Sequence, residues 1–66
     1  MNKAFIVYQE YRGRMAVCCY FDIKLTEFAW AIFTDNKCEN NSAILFEKIY
    51  DLYKHNYKIE YWNKGE

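Results

Sequence analysis

Apolar positions along the chain fall into five clusters separated by short polar breaks. Residues 3–11 (Lys-Ala-Phe-Ile-Val-Tyr-Gln-Glu-Tyr) combine β-branched and aromatic side chains and predict a first strand. Residues 15–22 (Met-Ala-Val-Cys-Cys-Tyr-Phe-Asp) predict a second. Arg12-Gly13-Arg14 between them reads as a tight hairpin, and Gly13 is the only strong internal turn marker in a chain without proline. Two registers are open. A three-residue loop puts Gly13 in the left-handed position and Glu10 opposite Arg14, whereas a two-residue Arg12-Gly13 loop pairs Lys3 with Asp22. Each gives a charged cross-strand pair, so charge does not choose between them.

Residues 27–35 fit two periods. Phe28, Trp30 and Ile32 alternate as in a strand, while Leu25, Phe28, Ala29, Ile32 and Phe33 fit helical spacing with Thr26 as N-cap. The aromatic density and the Thr34-Asp35-Asn36 stop favour the strand. Next, Asn40-Asn41-Ser42 supplies N-cap candidates for a helix over about 42–55. Its apolar face is Leu45, Phe46, Ile49, Leu52 and Tyr53, with Glu47, Lys48, Asp51, Lys54 and His55 opposite and Asn56 as a left-handed C-cap. Tyr57 to Trp62 alternates with period two and predicts a short last strand. The predicted fold class is α+β: a small antiparallel sheet of three strands with a short fourth, and one amphipathic helix on one face, in the order βββα(β). Residues 1–66 are expected to form a single domain with a frayed tail at about 63–66.

The strands do not alternate cleanly, and this points to a binding surface. In the three-residue register Phe5, Val7, Val17, Cys19 and Phe21 share one side, joined by Ala29, Ala31 and Phe33, and the small alanines let a helix approach. The even positions then hold Ile6, Tyr8, Cys18, Tyr20, Phe28, Trp30 and Ile32. A face that apolar marks an interaction surface, and Tyr and Trp are typical of binding hot spots. These seven residues are the expected partner or dimer interface, with Arg12 and Arg14 as polar contacts. A second copy of the chain is the first expected occupant, and an unidentified protein the second.

Composition narrows the chemistry. A chain of 66 residues buries only about 60% of its unfolded surface, and the dense aromatics, 21% of residues, compensate. Three cysteines (Cys18, Cys19, Cys38) make a poor disulfide framework, and the N-terminus lacks the pattern of a signal peptide. A reducing, cytoplasmic location with free thiols is therefore expected. The first apolar run is too short for a membrane span. Adjacent cysteines in a strand point to opposite faces, so no zinc site is expected. His55 beside Asp51 reads as a solvated helix pair rather than a catalytic one, and Cys38 as a loop thiol. No catalytic, metal or cofactor residues are assigned, and the chain is not expected to be an enzyme.

Nine basic residues balance nine acidic ones, which argues against binding dominated by phosphate. A small single-strand nucleic-acid binder that stacks bases on Tyr8, Tyr20 and Trp30 is one alternative. A dimer that sequesters a small ligand such as a nucleotide is another. The leading expectation is a non-catalytic protein-binding module, a homodimeric inhibitor or adaptor. In size and composition the chain resembles the small proteins of phages and other mobile elements, which commonly bind and block a host or defence factor.

Overall fold

The hairpin is built on the two-residue loop. Arg12 and Gly13 both take positive φ, 55° and 82°, the combination that a type I′ turn requires and that matches the right-handed twist of the flanking strands. Tyr11 pairs with Arg14, Glu10 with Met15 and Phe5 with Tyr20. The Arg12 backbone is the costly one, since a residue with a Cβ pays roughly 1 kcal/mol or more there. Arg12→Asn should therefore raise stability by several tenths of a kcal/mol. Gly13→Ala, with open space around it, should lower stability by about 1 kcal/mol through backbone strain alone, as read by urea titration.

The computed structural model describes residues 2–34 and 41–63. Its elements are β1 (Lys3–Tyr11), β2 (Arg14–Tyr20), β3 (Phe28–Phe33), α1 (Asn41–Lys54) and β4 (Lys58–Asn63). Of the segment that fits two periods, Phe28–Phe33 thus form a strand, not a helix. The loop holding Cys38 and the tail beyond Asn63 lie outside the described residues. The sheet has the order β3-β2-β1-β4. It is mixed: β1–β2 and β2–β3 pair antiparallel, while β4 runs parallel to β1, with Lys3 level with Lys58 and Tyr8 with Asn63. The antiparallel expectation thus holds for three strands and is corrected for the fourth. A parallel neighbour needs a crossover, and α1 makes it, carrying the chain about 21 Å across β2 and β1.

Both helix ends are fixed. The Asn41 side-chain amide donates to the Phe33 carbonyl and ties the helix start to the end of β3. At the other end Asn56 is left-handed, with φ of 66°. The Tyr57 N–H donates to the Leu52 carbonyl and the Asn56 N–H to the Tyr53 carbonyl, both at 3.1 Å. That is a Schellman closure, and it turns the chain into β4, where the Lys58 N–H donates to the Asn2 carbonyl.

The two-residue register crosses the parity of β1 and β2, so odd positions of β1 share a face with even positions of β2. One face carries Ala4, Ile6, Val17, Cys19, Trp30 and Ile59 and packs against Leu52 of the helix. The other carries Phe5, Val7, Ala16, Cys18 and Tyr20, packed with Tyr11, Leu25, Ala31, Phe33 and Trp62. Among the described residues no helix covers this second face, yet Val7, Ala16 and Cys18 are fully buried. Aromatic rings roof it: Phe5 meets Trp62 edge-on at 5.3 Å, Tyr20 meets Phe28 at 5.8 Å, and Tyr11 stacks on Phe28 at 5.4 Å. Such pairs contribute about 1 kcal/mol each beyond area burial, which is how a chain this short closes two core layers with one helix.

The β2–β3 connection is organised by one carboxylate. Asp22 accepts from the Thr26 and Glu27 backbone N–H groups at 2.8 and 2.7 Å, and from the Thr26 hydroxyl. The Glu27 N–H, the Thr26 hydroxyl and the Thr26 N–H hold its pKa below the usual carboxylate range, against a smaller opposing effect of burial. A lowered folded-state pKa contributes stability above the unfolded-state value and loses it as pH falls through the carboxylate range. The wild type should therefore lose more stability between neutral and acid pH than Asp22→Asn does, a difference readable in parallel melting curves.

Candidate functional site

The helix crosses the sheet from corner to corner. Its first residue, Asn41, is tied to Phe33, level with Ala16 and Gln9, and its end leads into Lys58, level with Lys3 on the opposite edge. A diagonal crossing leaves the other two corners open, and each holds a hollow, as do the two helix ends, one beside Asn41 and Ile44 and one beside Tyr53 and Asn56.

The corner at the upper end of β1 and β4 is apolar. It forms a trough of about 340 Å3 whose lining includes Ile6, Tyr8, Val17, Leu45, Ile49 and Tyr61. Leu45, Ile49 and the buried Leu52 face the sheet. Phe46 and Tyr53 follow Leu45 and Leu52 by about 100° round the helix, with Phe46 beside the trough and Tyr53 nearer the helix end, where it lines a second hollow with Asn2 and Lys58. Both are 71% exposed, Tyr61 is 66% exposed and Tyr8 41%. Tyr50, 62% exposed, stands on the outward crest with the Lys54 ammonium 5.3 Å from its ring centroid. Among the described residues this is where large exposed apolar side chains gather from both the helix and the sheet.

The opposite corner is mixed, with Lys48, Asp51 and His55 among apolar and aromatic side chains. It is lined by Phe21, Trp30, Lys48, Asp51, Leu52, His55 and Tyr57. His55 Nδ1 lies 3.5 Å from Asp51 Oδ1 and 2.8 Å from the Asp51 carbonyl oxygen, and both side chains are well exposed. No serine or cysteine lines this corner. Cys18 and Cys19 are buried free thiols on opposite faces of the sheet. Burial pushes both thiols up, with the Tyr20 hydroxyl offsetting it at Cys18 and the neighbouring Cys18 adding to it at Cys19, which reaches about 11. Neither is poised as a thiolate. Among the described residues no three of His, Cys, Asp and Glu come together as a metal-binding group, and no helix is long and apolar enough to cross a membrane.

The residues singled out from the sequence divide between the two sides of the sheet. Ile6, Tyr8, Trp30 and Ile32 lie on the helix side, because Ile6 pairs with Cys19 and Val17 with Ile32. Cys18, Tyr20 and Phe28 lie on the other. Ile6, Cys18, Tyr20 and Ile32 are buried, so Tyr8 and Phe28 are the well-exposed members. The crossed parity of the hairpin causes this division. Arg12 and Arg14 sit at the hairpin tip, the first 5.4 Å from the Tyr11 ring centroid and the second 3.9 Å over Phe33. Phe46 and Tyr53, which the sequence places in the apolar face of the helix, stand exposed on its flank instead.

Set against known proteins, the chain matches no protein-family model, no curated protein and no solved structure, so the site is read from its own geometry.

Proposed function

We propose that this chain is a non-catalytic protein-binding module that works as a homodimer, an inhibitor or adaptor acting on a partner protein. The carrying observation is the apolar trough, whose lining includes the exposed rings Tyr8 and Tyr61, with Phe46 and Tyr53 exposed on the adjoining flank of the helix. Rings held this exposed on a small rigid frame are costly to leave in water and are the residue types that dominate binding hot spots. A balanced charge supports self-association, because two copies meet without net repulsion. Buried Cys18 and Cys19 suit a reducing compartment such as the cytoplasm.

With the trough taken by a second copy, the partner protein meets the opposite side. There Phe28 is 45% exposed and the guanidinium groups of Arg12 and Arg14 flank the aromatic roof. Base stacking on Tyr8, Tyr20 and Trp30 has less support: Tyr20 is buried, meets Phe28 edge-on and lies on the opposite side of the sheet from Tyr8 and Trp30, whereas successive bases need free ring faces on one side. The test is affinity capture on the tagged chain beside an Arg12→Glu/Arg14→Glu variant. A protein retained by the first and lost from the second is expected. Equal retention by both would remove the hairpin tip from the partner surface, and a nucleic acid retained at low salt and released by moderate salt would replace the protein partner altogether.

A further inference from the structure

The trough opens onto the outer edge of β4, where no described strand pairs. Backbone geometry fixes which groups are available there. The Lys58 N–H points inward to the Asn2 carbonyl, so with period two the N–H and C=O groups of Ile59, Tyr61 and Asn63 point outward. An unpaired edge beside exposed rings is an invitation to strand addition.

We infer that the second copy joins at this edge, antiparallel, with Tyr61 on the two-fold axis, so that the two sheets become one of eight strands and the two troughs merge. This rests on the self-association reading above. A two-fold axis perpendicular to the sheet keeps each residue on its own face, which forces one β4 residue onto the axis. With Glu60 there, two carboxylates face each other across the centre. With Ile59 there, the ladder runs back onto Tyr57, whose N–H is already donated to Leu52. With Tyr61 there, Tyr61 faces Tyr61 and Ile59 faces Asn63 of the other copy, and every outward group is paired, about six hydrogen bonds in all.

Area and charge favour a second copy over a lone peptide. The four exposed rings with the trough floor offer about 600 Å2 per copy, and about 1,200 Å2 for the pair reaches the range of specific interfaces. The Tyr61 register also keeps Glu60 opposite the uncharged Trp62 of the second copy rather than another carboxylate, and the side chain of Glu60 stays with its own Lys3 at 3.1 Å.

Disulfide trapping tests the register. In it the two Tyr61 Cα atoms are about 5.5 Å apart, within disulfide reach, while the two Ile59 Cα atoms are about 13 Å apart. Tyr61→Cys should link to itself under mild oxidation. To keep the Tyr61 ring, Ile59→Cys and Asn63→Cys chains are also mixed, and should link to each other but not to themselves. Peptide mapping separates these bonds from any made by the native thiols. A wild-type dimer in which neither linkage forms, or in which Ile59→Cys links to itself, overturns the edge register and leaves the homodimer standing. A wild-type monomer overturns both.

Discussion

Leu52→Ala is expected to lower stability by about 3 kcal/mol and to leave much of the protein unfolded at 37 °C. Leu52 is the one helix residue that is buried, and it joins α1 to Ala4, Ile6, Cys19 and Ile59. Several of those neighbours are small and anchored in strands, so they cannot collapse into the space left behind. A Leu→Ala change in such a site costs about 2–5 kcal/mol. A 66-residue domain starts with little reserve. The same helix residue lies five positions before Tyr57, whose N–H closes the helix on its carbonyl, so loosening it also frees the entry to β4. Urea unfolding followed by far-ultraviolet circular dichroism measures the change. A loss below about 1 kcal/mol would mean that the helix contributes little to the core on its face of the sheet.

The second large effect separates folding from association. Phe46→Glu/Tyr53→Glu should leave the monomer folded, because both rings are 71% exposed and lie off the buried stripe. Exposed substitutions of this kind change stability by about 0.5 kcal/mol or less. Association should weaken by about 100-fold or more, since each dimer loses four rings and gains four charges in a desolvated contact. Sedimentation of the variant across a dilution series gives the constant, with circular dichroism as the folding control. Wild-type stability should also rise with protein concentration while that of the variant should not, because only the dimer is linked to concentration.

Much of this fold is legible in the residues. β1 and the helix are marked by strong local signals: a nine-residue aromatic and β-branched run, and an amphipathic stretch ending at Asn56. The last strand is visible as the alternation from Tyr57 to Trp62, and it runs Lys58–Asn63. Its neighbour is not visible. Period two says that a segment is extended and says nothing of which edge it joins or in which direction. The hairpin register is hidden for a related reason. Arg12-Gly13 satisfies either loop length, and the deciding factor is the pair of positive φ angles at Arg12 and Gly13. That single choice moves Cys18 and Tyr20 to the side opposite Ile6 and Tyr8.

The same lesson applies to the exposed rings. The sequence holds more apolar surface than one helix and one small sheet can bury, which is legible from Leu45, Phe46, Ile49, Leu52 and Tyr53 on a single helix. Which of them stay exposed depends on the diagonal crossing. That in turn follows from Asn41 bonding the end of β3 and Lys58 starting level with Lys3, neither of which a periodicity reports.

Light scattering on the wild-type protein, from low to high micromolar concentration at neutral pH under reducing conditions, tests self-association most directly. The expected mass at the upper end is twice the 8.1 kDa of the chain, falling on dilution. A mass of one chain at high micromolar concentration would contradict it.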